Sequence, residues 1–97
     1  MKHEIIFAPE AIEDLKRLSA RNRALIRDDI EKYLRFEPDK ISQSRIKRLR
    51  GIRRPEYRLR VGEMRVFYDI EGEVVEILAI VNKTQAGTWL EEQGEQL

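Results

Sequence analysis

Between Tyr57 and Val81 the residue pattern leaves room for little other than a sheet. Tyr57, Leu59 and Val61 alternate with Arg58 and Arg60; after Gly62-Glu63, Met64, Val66, Tyr68 and Ile70 alternate with Arg65, Phe67 and Asp69. Strand side chains point to opposite faces in turn, so each alternation marks a strand with one buried face. A glycine-bearing pair between two such runs signals a tight hairpin. Glu71-Gly72 supplies a second turn. Val74 to Val81 (VVEILAIV) is then nearly continuous in apolar residues, as a central strand buried on both faces is. The pattern predicts a three-strand antiparallel meander.

The preceding residues must cover its apolar face. Lys2 to Phe7 reads as a short opening strand, with β-branched Ile5 and Ile6. Pro9 suits a first helical turn, and Glu10, Glu13 and Asp14 sit at the positive end of the helix dipole. Ala11, Ile12, Leu15 and Leu18 form an apolar stripe over a helix at 9–18, with Glu13 and Asp14 on its outer face. Leu25, Ile26, Ile30, Tyr33 and Leu34 form a second stripe, ended by Glu37-Pro38. Neither helix is apolar all round, so both are expected to pack on the sheet. The fold class is α+β: a small antiparallel sheet, made of the N-terminal strand plus the meander, with a helical hairpin on one face. A chain of 97 residues suits one domain, 1–97. After Asn82-Lys83 the pattern fades; Trp89-Leu90 is expected to pin a loop, and the acidic stretch 91–97 to fray.

The net charge of +1 conceals a strong segregation. Residues 45–60 carry eight arginines and lysines against one acid, Glu56, whereas 61–97 carry two basic residues, Arg65 and Lys83, against eight acids. Such a dipole suits a surface facing a polyanion or an acidic partner. Pairing through the Gly62-Glu63 turn puts Arg58, Arg60 and Arg65 on one sheet face, with Phe67, a further candidate substrate-binding residue, further along the same side. Either nearby acids such as Glu56 and Glu63 neutralise these arginines, or the arginines remain free to grip phosphate, which a planar guanidinium does bidentately. Arg45 to Arg54 precede the meander and read as loop charge that steers RNA or docks an acidic partner; Arg48, Arg50, Arg53 and Arg54 are candidate substrate-binding residues of that stretch.

Other chemistries lack their residues. There is no cysteine and one histidine, His3, so neither a Cys–His pair nor a histidine metal cluster can be assembled. No metal or cofactor is expected. No glycine-rich phosphate loop exists, and Gly62 and Gly72 read as turn residues. Ile5 to Ala8 is too short for a signal-peptide core or a membrane span. Absence of cysteine fits a reducing compartment, and the cytoplasm is the expected location.

LRG at 49–51 followed by YRLRVGEMRVFYDIEGEVVEILAIVNK at 57–83 resembles the RelE/ParE superfamily of small toxins. The resemblance covers the meander, and the helical hairpin agrees in length and pattern. It implies a type II toxin neutralised by a cognate antitoxin, small and bearing acidic groups or an amphipathic helix, through which alone the complex touches operator DNA. In the RelE branch it implies a toxin that enters the ribosomal A site and cuts mRNA there without a metal, by attack of the ribose 2′-hydroxyl on the adjacent phosphate. Arg65 matches the arginine that binds the scissile phosphate, Arg58 and Arg60 the paired basic residues of the preceding strand, and Lys83 a basic, substrate-binding position after the last strand. Two departures stand out. Thr84 occupies the place of an arginine, and Leu90, beside Trp89, that of an aromatic. Losing a guanidinium at a developing phosphorane costs roughly 10²–10³ in rate, if it acts as one oxyanion donor. Arginine where lysine is common makes Arg58 and Arg60 charge stabilisers rather than bases. The alternatives are a ParE-like toxin that inhibits DNA gyrase by binding, and a catalytically decayed homologue that only binds its antitoxin.

Overall fold

Gly62 and Gly72 set the geometry of the meander. Both adopt positive φ, 58° and 60°, at the first position of a two-residue turn, a conformation that matches the twist of the flanking strands and that glycine reaches without strain. The second turn falls on Gly72-Glu73, one residue later than the pattern suggested. In the computed structural model, which describes residues 1–97, the elements run β1 (Glu4–Phe7), α1 (Pro9–Arg17), α2 (Ala20–Leu34), β2 (Ile46–Arg48), β3 (Ile52–Arg54), β4 (Tyr57–Val61), β5 (Met64–Glu71), β6 (Val74–Asn82), α3 (Ala86–Gln93) and β7 (Glu95–Gln96).

The expected α+β architecture is present. The main sheet has the order β1-β6-β5-β4-β2, antiparallel except at one edge, where β1 joins β6 in parallel. Pro9 starts α1, and the Ser19 hydroxyl caps α2 by accepting the Asn22 N–H at 3.1 Å. The apolar stripes of both helices lie on one sheet face, apart from Ile12 and Leu25, which stay exposed: Ala11, Leu15, Ile26, Ile30 and Leu34 share a core with Leu59, Val66, Tyr68, Val75 and Ile77. Each such aliphatic side chain contributes about 1.5–3 kcal/mol on full burial, more than a surface ion pair does. Tyr68 is fully buried in this core, and its hydroxyl donates to the Pro38 carbonyl at 2.6 Å, fastening the loop that follows α2. Asp14, expected on the outer helix face, instead accepts the Ile80 N–H at 2.9 Å and ties α1 to β6.

Two expectations need correction. Arg45–Arg54 is not all loop. Ile46–Arg48 pairs with Leu59, Arg58 and Tyr57 of β4, extending the sheet by a strand, and Ile52–Arg54 pairs with β7. The acidic C-terminal stretch is not a frayed tail either. Ala86–Gln93 is helical, and Glu95–Gln96 forms the short second sheet with β3. Trp89 holds this segment down, stacking on Phe67 with centroids 4.9 Å apart and planes 8° from parallel. No helix is long and apolar enough to cross a membrane.

Candidate functional site

The face away from the α1–α2 hairpin carries the arginines. Register places Arg60 opposite Arg65 and Arg58 opposite Phe67 across β4 and β5, so all four share that face as the alternation predicted. Lys47 of β2 pairs with Arg58 and adds a further cation to the row. The alternation could not reveal Lys47, because a three-residue strand offers no period to read.

Whether this is a neutralised face or a free one is decided by where the acids go. Glu56 pairs with Arg48 at 3.3 Å, Glu63 with Lys83 at 2.8 Å, and both Asp69 and Glu76 with Arg54, at 3.1 and 2.8 Å. Arg58, Arg60, Arg65 and Lys47 form no ion pair. The acidic alternative therefore fails for these arginines: each acid proposed to pair with them is engaged by another cation. The Arg65 guanidinium is aimed by two carbonyls instead, Nη1 donating to Gly62 O and Met64 O at 2.9 Å each, which fixes the side chain without cancelling its charge. Arg58 is half-buried. Desolvation first, then the charges of Arg65 and Arg60, hold its pKa below the ordinary arginine value. Such a guanidinium gains most when an anion arrives, because the anion reverses the sign of its surroundings.

The other candidate residues separate from this cluster. Lys83 lies beside the Gly62-Glu63 turn, close to the Arg65 end, but its ammonium is shared with Glu63, whose carboxyl it pulls below the usual range. Arg54 is clamped between Asp69 and Glu76 and ties β3 to the sheet. Burial pushes Asp69 up, against the opposing pull of the Glu56 N–H and Arg54. Phe67, a candidate substrate-binding residue by its place in the alternation, is covered instead. It is 1% exposed beneath Trp89, so no base can stack on it. Trp89, half-buried, is the aromatic left at that surface, and the sequence signalled it only as a pin. Arg48 pairs with Glu56 and sits over the Tyr57 ring at 5.9 Å. Arg50 and Arg53 are exposed and unpaired around the β2–β3 turn, off the arginine row. No three His, Asp or Glu side chains converge closely enough to hold a metal ion.

The arrangement can bind a phosphodiester with two or three guanidiniums and stabilise negative charge that develops on it. The carboxylate in the field of Arg65 and Arg60, that of Glu63, is held by Lys83.

Comparison with known proteins gives a consistent picture. The family model described as the ParE toxin of type II toxin–antitoxin systems, parDE, matches residues 5–87. No curated protein matches the chain. Among solved structures, a chain of the toxin–antitoxin complex RelBE2 from Mycobacterium tuberculosis is 24% identical, with a TM-score of 0.64 over 84% of this chain and 99% of that one. A chain of the archaeal RelE–RelB complex from Pyrococcus horikoshii is 23% identical, with a TM-score of 0.65 over 89% and 100%. The isolated RelE toxin of E. coli is 15% identical, with a TM-score of 0.63 over 93% and 94%. At these identities the likeness is one of fold.

Proposed function

This chain belongs to the ParE toxin family of type II toxin–antitoxin systems, and from that premise we propose that it is an mRNA endonuclease acting in the ribosomal A site. The observation that carries the reading is the row of unpaired cations, Arg58, Arg60 and Arg65, on a face whose nearby acids all bind elsewhere. In the proposed reaction the ribose 2′-hydroxyl of mRNA attacks the adjacent phosphorus, forming a 2′,3′-cyclic phosphate as the bond to the 5′ oxygen breaks. The 2′ proton leaves and the departing 5′ oxygen gains one. Arg65, aimed by the turn carbonyls, holds a non-bridging oxygen of the scissile phosphate, and Arg58 stabilises the charge that grows on the phosphorane. Arg60 contributes field and binding. All three remain protonated at neutral pH, so none is the base.

Incubation with programmed ribosomes, followed by mapping of message ends, tests the proposal. Breaks in the A-site codon are expected, and they should vanish in Arg65→Ala while the fold is retained. Uncut message at high protein excess rejects it.

A second reading is inhibition of DNA gyrase by binding, as a ParE-like toxin. It is favoured by Thr84 in the place of an arginine and by the ion pair that occupies Lys83. Loss of gyrase supercoiling on addition of the pure protein, with message left intact, would select it. A homologue that only binds its antitoxin predicts neither effect, and unimpaired growth on induction.

Each reading gives the chain a cognate antitoxin, encoded beside it, and a cytoplasmic place of action. Antitoxin complexes are what several chains of the same fold form. Contact with operator DNA is assigned to the antitoxin.

A further inference from the structure

The β2–β3 turn carries a second basic surface. Beside it runs a groove of about 780 Å³ lined by the cations Lys47, Arg50 and Arg53, by the Arg48–Glu56 ion pair, and by the aliphatic side chains of Leu49, Ile52 and Leu97. Arg50 and Arg53 project into solvent with no acid partner, while Arg48, also on the rim, shares its charge with Glu56. Single-stranded nucleic acid is held by cations together with aromatic faces on which bases stack. This groove offers no aromatic side chain at all: its apolar surface is aliphatic. Guanidiniums around aliphatic walls complement carboxylates interleaved with leucine-like side chains, which is the chemistry of an acidic, aliphatic peptide.

The chain itself supplies an example of such a segment at this place. Glu95-Gln96-Leu97 runs antiparallel to Ile52–Arg54, the Leu97 N–H donates to Gly51 O at 3.1 Å, and Leu97 lines the groove. The Glu95 carboxylate adds to the negative field that raises the Arg54 pKa, after Glu76 and Asp69. An extended acidic-aliphatic segment is therefore already accommodated at the groove's edge, and the groove extends beyond these three residues with Arg50 and Arg53 unsatisfied.

We propose that this groove is a docking site for an extended peptide segment of a protein partner, with carboxylates meeting Arg50 and Arg53 and aliphatic side chains meeting Leu49 and Ile52. The site is centred on the turn rather than on the sheet face, and it meets the Arg58–Arg60–Arg65 row only through Lys47, which lines the groove and pairs with Arg58. The proposal rests on the partner reading above for who brings the segment, and not on nuclease activity.

The test is a titration of the full isotope-labelled chain, followed through its backbone amide resonances. The probes are the capped peptide Glu-Leu-Glu-Leu-Glu, its counterpart with glutamine for glutamate, and a single-stranded RNA octamer. The acidic peptide is expected to shift the amides of 49–53 and 95–97 saturably. The glutamine peptide should bind roughly tenfold more weakly or worse, since charge-assisted bonds are lost. The double substitution Arg50→Ser, Arg53→Ser should weaken the acidic peptide to a similar degree, and Arg65→Ala should leave its affinity unchanged. Shifts confined to the arginine row overturn the proposal, as does absence of any saturable shift. RNA binding at 49–53 more tightly than the acidic peptide would make the groove a nucleic-acid subsite and overturn it too. None of these readouts depends on message cleavage. If instead the adjacent gene's product forms no complex with the chain, the partner reading fails by itself, whatever the peptides do.

Discussion

Arg58 illustrates what a binding site costs a folded protein. Its guanidinium is partly withdrawn from water and faces Arg60 and Arg65 with no carboxylate in reach, so its charged form is less favourable here than in a peptide. Arg58→Met keeps the length of the side chain and removes the repulsion. Thermal unfolding of this variant is expected at the same temperature as the parent or a few degrees above it, while A-site cleavage falls roughly 10²–10³-fold, as for loss of one oxyanion donor. A variant that melts lower would mean that Arg58 contributes a stabilising contact. Tyr68 presents the opposite case, a residue whose polar atom serves stability alone. Tyr68→Phe leaves the Pro38 carbonyl buried without its donor, which should cost about 1–3 kcal/mol. For a domain of this size each kcal/mol lowers the melting temperature by roughly 4–8 °C, and calorimetry reads the difference. Cleavage per folded molecule should not change, because Tyr68 points into the helix-side core.

At the scale of elements, what was legible in the sequence is what has a period long enough to read. The meander and both helices announce themselves because runs such as Tyr57–Val61 and Leu25–Leu34 repeat their apolar positions several times. The same register, once hairpin turns are assigned, also places Arg58, Arg60 and Arg65 together. β2 and β3 were not legible: Ile-Lys-Arg and Ile-Arg-Arg each contain one apolar residue, and what makes them strands is a partner elsewhere in the chain. The parallel pairing of β1 with β6 likewise exists only once the helical hairpin has carried the chain back across the sheet. α3 has a glycine and a threonine in its first turn, no basic residue in its last and no buried residue. Its anchor is Trp89, which stacks on Phe67 and donates its indole N–H to Glu10 at 3.4 Å, and this makes it testable. Trp89→Ala removes the cover from Phe67 and should cost about 2 kcal/mol, below the range for a fully buried tryptophan because Trp89 is half-buried. Amide exchange should quicken across 86–96 and at Ile52–Arg54, the partners of β7, while the β4–β5–β6 amides keep their protection. Uniform acceleration throughout the chain would show that the C-terminal segment is not a separable unit.

On the whole molecule the near-zero net charge says little, because the charges are sorted into surfaces. The basic run at 45–60 is one block in sequence and three things in space. Arg45, Arg48 and Arg54 are paired with acids; Arg50 and Arg53 face the β2–β3 groove; Lys47, Arg58 and Arg60 join Arg65 on the sheet face. Only the third group is placed to neutralise phosphates of one RNA strand, and this limits how steeply RNA affinity can depend on salt. Each phosphate neutralised on a single strand contributes about −0.7 to the slope of log affinity against log salt. Four cations on one face thus set a slope of about −3 for a short single-stranded RNA, measurable by fluorescence anisotropy across a series of salt concentrations. Were the whole basic run to act together, eight cations would give about −6. Lys47→Ala should make the slope shallower by about 0.7, and Arg54→Ala should leave it where it is, because Arg54 is already neutralised by Asp69 and Glu76. A parent slope near −6, or an Arg54 variant as shallow as the Lys47 one, would mean that the ion pairs open on binding and that the acids do not partition the surface as the folded chain arranges them.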